Sequence, residues 1–237
     1  MPWCTAYGAG RARHHGAPVE RGPSASPAGP QSQKKTLRAS EHQRPDIRQA
    51  REHWIGRRKP FFDKALTRLV FIDETSTNTR LTKRTGWAPK SQRYRTSAPF
   101  GGWKTQTFIA GLRCHAMIAP WIIDAPMNKA RFELYVETQL APELKPGDVV
   151  ILDNVAFHKS ERAAELVRQR GAWLLPLPAY SPDLNPIEMA FSKLKALLRK
   201  KAARSFDALC NALKDICDLF DPLQCRNFFK AAGYEAN

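Results

Sequence analysis

The chain has 237 residues, 43% hydrophobic and 25% charged, which is enough apolar material for one sizeable core. Its longest apolar runs are strand-sized and its N-terminus has no apolar signal region, so neither a transmembrane helix nor a secretory leader is expected. Lys and Arg number 38 against 22 Asp and Glu, a net charge of +16 that suits a polyanionic partner, most simply nucleic acid. The five cysteines (4, 114, 210, 217 and 225) are odd in number and form no CxxC pair. A disulfide framework or zinc knuckle is therefore not expected, and a reducing, cytoplasmic compartment fits.

Residues 1–33 hold five Gly, five Pro and one Val, with no Ile, Leu or Phe. Such a stretch buries too little apolar surface to offset its ordering entropy and reads as a disordered, low-complexity N-terminus. Residues 34–66 read as a basic linker. Within it Pro45, Ile47, Ala50 and Trp54 have the spacing of a short amphipathic helix with Pro in its first turn. Residues 1–66 carry 13 Lys and Arg and 5 Asp and Glu, half of the net charge. That charge reads either as a solvated linker or as a DNA-tracking arm.

From residue 67 onward strands and helices alternate. The run 69–72 reads as a buried strand ending at Asp73, and 105–114 and 116–123 as two further strands with a tight link. A helix is predicted over 128–140, and a strand over 149–152 ending at Asp153. A helix over 160–170 carries Glu161 in its first turn, with Gly171 just past its end. A short strand over 173–175 and helices over 186–199 and 205–220 complete the order. Strands first, then helix and strand in alternation, predict an α/β class with a mixed central sheet flanked by helices, over 67–237. Phe206, Leu209, Cys210, Leu213, Ile216, Cys217 and Phe220 read as a core-packing stripe, and Cys210, Cys217 and Cys225 as buried apolar fillers.

Three acids carry the chemical signal. Asp73 and Asp153 each follow a strand run, at a strand end, where α/β sites gather. Taken singly, either residue could start an Asx turn or cap the next element. Glu188 stands at the third helical position after Asn185 and Pro186, which is the pattern of a capping box as well as of a ligand. Three neighbouring carboxylates raise one another's pKa values unless hard cations neutralise them, and oxygen-only ligation selects Mg²⁺ or Mn²⁺. Two such ions suit phosphoryl transfer. Paired carboxylates also serve glycosidases, but a strongly basic surface gives those enzymes no advantage.

Seventy-nine residues separate Asp73 from Asp153, and 34 separate Asp153 from Glu188. With Phe71-Ile72-Asp73-Glu74-Thr75, Ile151-Leu152-Asp153-Asn154 followed by His158-Lys159, and Ser181-Pro182-Asp183-Leu184-Asn185-Pro186-Ile187-Glu188, the chain resembles the Asp-Asp-Glu transposases. Gly102-Trp103-Lys104-Thr105 and Leu144-Lys145-Pro146-Gly147-Asp148 are similar to that family too. The resemblance is strongest to the bacterial insertion-sequence branch of the mariner superfamily and covers roughly residues 34–235. It implies a ribonuclease-H-like (retroviral-integrase-like) fold and two Mg²⁺ ions, replaceable by Mn²⁺, held by the catalytic residues Asp73, Asp153 and Glu188. It further implies cleavage at element ends, strand transfer of the 3′-hydroxyl into target DNA at TA sites, and a homodimer on double-stranded DNA in a bacterial, nucleoid-associated setting.

Under the resemblance Asn154 orients Asp153, and His158 contacts a phosphate or positions an acid. The bland alternative for His158 is a helix-start histidine. Lys159 and Asn185 flank the acids. Arg80, Arg84, Trp87, Lys90, Arg93, Arg95, Trp103 and Lys104 read as a DNA-contacting segment between the first two acids, against ordinary solvated charge. No pair of apolar helices with a short Gly-containing turn precedes the first catalytic strand, so the helix-turn-helix end-recognition region is expected to be missing. Two other readings stay open: a truncated DNA-binding remnant without autonomous activity, and a metal-dependent nuclease of the same fold.

Overall fold

Leu69, Val70, Phe71 and Ile72 are apolar without alternation because both faces of their strand are covered. In the computed structural model all four are 0% exposed. The structure describes residues 44–82, 87–95, 97 and 105–235, which lie in one compact unit spanning Arg38–Asn237. Among the described residues five strands form a single sheet: β1 (Leu69–Asn78), β2 (Thr105–Leu112), β3 (Met117–Ile123), β4 (Val149–Leu152) and β5 (Trp173–Pro176). Their spatial order is β3-β2-β1-β4-β5, with β2 antiparallel to both of its neighbours, β1 and β3, while β4 runs parallel to β1 and β5 parallel to β4. The mixed, helix-flanked α/β sheet expected from the element order is present.

Among the described residues seven helices flank it: α1 (Pro45–Lys64), α2 (Lys129–Tyr135), the single-turn α3 (Ala141–Glu143), α4 (Glu161–Gln169), α5 (Pro186–Lys201), α6 (Phe206–Cys217) and α7 (Pro222–Ala231). One face of the sheet offers Leu69, Phe71, Phe108, Leu112 and Ile151 to a cluster with Trp54 and Phe62 of α1, Phe191 and Leu194 of α5, Leu213 of α6 and Phe229 of α7. The other face offers Val70, Ile72, Ile109 and Val150 to Phe132, Tyr135, Val136, Leu140, Ala163 and Val167. Alternation along each strand thus feeds two apolar layers.

Several expected elements take a different form. The helix over 128–140 is interrupted: α2 passes into a π-helical segment at Val136–Leu140 before α3. In the segment read as a basic linker, α1 runs for 20 residues, and Trp54 and Phe62 are only 3% and 2% exposed. The helix over 205–220 stops at Cys217. It is followed by α7, which starts from an Asp221 cap that accepts from the Gln224 backbone N–H at 2.9 Å. Of the three cysteines read as buried fillers, Cys225 is fully buried, whereas Cys210 and Cys217 are half-buried; Phe206 is exposed. Among the described residues no helix is long and apolar enough to cross a membrane.

Candidate active site

Strand register brings the first two acids together. Phe71 pairs with Ile151 in the parallel β1–β4 ladder. Asp73 and Asp153 each stand two residues further on, so alternation sends both toward the same face. Asp73 is not at a strand end, as its run suggested, but in mid-strand opposite Ala110 of β2. The hydrophobic run stops there because β4 ends at Leu152, while β1 continues as a ribbon with β2. The third acid comes from above. Ile187, Ala190, Phe191, Leu194 and Leu198 seat α5 on β1 and β2, leaving Glu188 in its first turn at the margin of the apolar stripe.

Asn185 and Glu188 do not form the capping box that their spacing allows. Asn185 makes no side-chain cap. Its Nδ2 instead donates to Asp73 Oδ2 at 3.2 Å, and the Glu74 backbone N–H donates to Asp73 Oδ1 at 2.8 Å. These bonds hold a carboxyl that is only 7% exposed. Burial, followed by the charges of Glu188, Glu74 and Asp153, pushes the Asp73 pKa up to about 8. Burial also raises Glu188, against the pull of Lys195.

His158 is buried and sits between two carboxylates. Its Nδ1 lies 2.5 Å from Asp153 Oδ1 and its Nε2 lies 3.2 Å from Glu74 Oε2. Burial acts to lower its pKa, but the hydrogen bonds and charges of Asp153 and Glu74 raise it to about 9. It is therefore a positively charged bridge between the first and second acid motifs. At 4% exposed, the ring is turned onto these two carboxylates. The expected partner of Asp153 was Asn154, which is exposed and makes no side-chain hydrogen bond among the described residues. Glu74 is a fourth carboxylate here, and its sole sequence signal is adjacency to Asp73.

The segment between β5 and α5 closes the site. Asp153, Asn154, Leu177, Tyr180, Asn185 and Glu188 are among the residues lining a cavity of about 340 Å³. Tyr180 holds φ +54°, the left-handed region, at a cost of order 1–3 kcal/mol for a non-glycine residue. Two distant residues anchor this segment. Arg51 of α1 forks onto Asp183 at 2.6 and 2.9 Å, and Tyr234 Oη donates to the Leu184 carbonyl at 2.6 Å. Neither had a sequence signal, since both act over more than 49 residues of separation.

Lys159 is exposed beside His158. Trp87, Lys90, Arg93 and Arg95 are exposed, Trp87 fully so, and Arg80 is half-buried. Arg84, Trp103 and Lys104 lie outside the described residues, as do residues 1–43 with their expected disorder.

A family model described as DDE superfamily endonuclease matches residues 68–210, more than half of the chain and all three acids. The chain belongs to the DDE superfamily endonucleases. It is 31% identical over 127 residues to the Transposable element Tc1 transposase of Caenorhabditis elegans, covering 47% of this chain and 46% of that one. It thus spans about half the length of the curated relative that it matches. Among solved structures, the Mos1 transposase paired-end complex with left transposon end superposes at TM-score 0.68 and 17% identity, over 86% of this chain and 64% of that one. The catalytic domain of Mos1 mariner transposase superposes at TM-score 0.59 and 16% identity, over 85% and 94%. The fold of this DDE domain is therefore that of the Mos1 catalytic domain, as the ribonuclease-H-like expectation required.

The donor chemistry of the DDE site fits a hard divalent cation. Asp73, Asp153 and Glu188 supply carboxylate oxygens, and Asn185 Oδ1, in a residue 2% exposed, has no hydrogen-bond partner. The crowding of anions that lifts Asp73 is relieved when a cation joins them. Asp153 is turned onto His158, and no three His, Cys, Asp or Glu side chains among the described residues are arranged to share one ion.

Proposed function

We propose that this chain is the catalytic part of a DNA transposase that cuts at the ends of its element and joins the freed 3′-hydroxyl to target DNA. The observation that supports this reading is that β-ladder register and the seating of α5 set Asp73 where the charges of Glu188 and Asp153 both bear on it. Mg²⁺ or Mn²⁺, held as two ions by Asp73, Asp153 and Glu188, would activate the attacking oxygen and stabilise the leaving one.

The chain's own residues prepare that chemistry. Asn185 and the Glu74 backbone N–H fix both oxygens of Asp73. His158 holds Asp153 in place and, by carrying positive charge, offsets the local excess of anions. Burial and the neighbouring carboxylates push the Asp73 pKa up to about 8, and a cation beside it would favour the ionised form. The net charge of +16 draws the DNA backbone toward the domain in a salt-dependent way. Mos1 has been captured in a paired-end complex and a strand transfer complex. That likeness supports action on transposon-end DNA for this chain as well; a homodimer on double-stranded DNA, TA as the target and an insertion-sequence-type element as the source rest on the resemblance of its motifs.

The test is nicking and strand transfer on TA-containing duplex in Mg²⁺ or Mn²⁺, comparing the chain with Asp153→Asn. Metal-dependent products that vanish in the variant support the proposal. Nicking without transfer of a pre-cut 3′-end would reduce it to a nuclease. Salt-sensitive DNA binding with no products would reduce it to a DNA-binding remnant.

A further inference from the structure

Tyr180 is the aromatic member of the four described non-glycine residues with positive φ, at +54°. Glycine enters that region freely, whereas a bulky L-residue is strained there. The strain gains nothing for the core, because Tyr180 is 50% exposed while its neighbours Leu177 and Ser181 are 3% and 5% exposed. Pro178 and Pro182 restrict the backbone on either side. The Arg51–Asp183 fork and the Tyr234–Leu184 bond tie the segment that follows to the rest of the fold. A rigid, well-anchored loop therefore holds an aromatic ring in the open.

That ring lines the cavity of about 340 Å³ whose walls include Asp153 and Glu188. Leu177 and Pro178 give the same cavity an apolar side, and the amides of Asn154 and Asn185 give it a polar one. Asn185 is 2% exposed and its Oδ1 is without a hydrogen-bond partner. An aromatic surface, apolar neighbours and an unused amide oxygen beside carboxylates suit a flat heteroaromatic ring joined to a phosphodiester.

We propose that Tyr180 is a stacking platform for the nucleobase adjoining the scissile phosphate, setting that phosphate against the acids. This inference rests on the DNA-cleaving function proposed above. Every base has a π-face, so the platform positions the strand without reading its sequence. The ring, not the hydroxyl, carries the effect.

The experiment places 2-aminopurine at the nucleotide flanking the cleavable phosphate in a duplex with a pre-cut 3′-end. Fluorescence, KM and total DNA binding by anisotropy are followed together. Wild type and Tyr180→Phe quench the probe, and Tyr180→Ala and Tyr180→Gly do not. Both of those variants raise KM by roughly 5- to 150-fold, the range of one base–aromatic stack. Tyr180→Gly also melts at a higher temperature than Tyr180→Ala, because it relieves the strained φ. Quenching and KM in Tyr180→Ala equal to wild type, with DNA bound and cut normally, overturn the platform alone. A wild-type chain that neither binds nor cuts DNA overturns the platform together with the function on which it rests.

Discussion

His158 and Asp153 are joined by a 2.5 Å contact from Nδ1 to Oδ1, made by an imidazole that is 4% exposed. The opposite nitrogen faces Glu74, so one buried ring links the motif on β1 to the motif after β4. Removing it frees Asp153 and leaves Glu74 facing an empty position. We expect His158→Ala to lower kcat about 10- to 100-fold, the usual loss when a residue orienting a ligand side chain is removed, with KM for DNA little changed. Single-turnover cleavage kinetics check this; an unchanged kcat would remove His158 from the account.

Asn185 offers a sharper test because its side chain serves Asp73 and not the helix N-terminus. Asn185→Ser, a good N-cap residue, should preserve thermal stability while lowering cleavage. Asn185→Asp replaces the donor to Asp73 with a further carboxylate and should lower the divalent-ion concentration needed for half-maximal activity. Equal metal titration curves for wild type and Asn185→Asp would contradict the assignment.

In the absence of divalent cations, two buried groups set the pH dependence of stability. Asp73 titrates near 3.8 when unfolded and at about 8 when folded, raised first by burial and then by Glu188, Glu74 and Asp153. The folded state keeps a proton that the unfolded chain has lost, so this contribution is full below about pH 4 and declines as pH rises toward 8. His158 goes from 6.5 to about 9; burial opposes the rise, and Asp153 and Glu74 outweigh it. Its contribution is full below 6.5 and is lost as pH passes through 9. Both trends have one sign, so Tm in a chelator should fall between pH 6 and pH 9. Saturating Mn²⁺ should flatten that fall, because it binds the ionised carboxylates of the folded state. Scanning fluorimetry at three pH values, with and without metal, decides it; a Tm that rises with pH in chelator contradicts it.

Trp54 tests whether α1 is integral to the domain. Its ring lies 6.0 Å from Phe62 and under the Arg58 guanidinium, and it is 3% exposed. Trp54→Ala should destabilise by about 3–5 kcal/mol, the range for deleting a large buried aromatic. Urea unfolding measures it, and a loss below about 1 kcal/mol would make α1 a mere appendage.

The strands and the three acids were legible because each depends on local pattern. The run 69–72 is apolar throughout, and Pro186 with its apolar stripe marks α5 from its first turn. Their convergence was legible only through family resemblance, since ladder register is a property of the fold. The roles of Asn185 and His158 were not legible, because a cap-forming residue and a helix-start histidine read identically until their tertiary partners are seen. Arg51 and Tyr234 carry no signal, and α7 stands beyond the expected elements although Asp221-Pro222 is a sound helix start. Long-range anchoring of a loop leaves no periodicity in sequence.

We propose that the three acids from β1, the end of β4 and α5 act as one phosphoryl-transfer site. Single-turnover transfer of a pre-cut 3′-hydroxyl into TA-containing duplex by wild type and by Glu188→Gln tests it most directly. The account predicts a fall of about 100-fold or more in the variant, the scale lost with a group that stabilises developing charge, with DNA binding intact. Transfer by Glu188→Gln within a few-fold of wild type would contradict it.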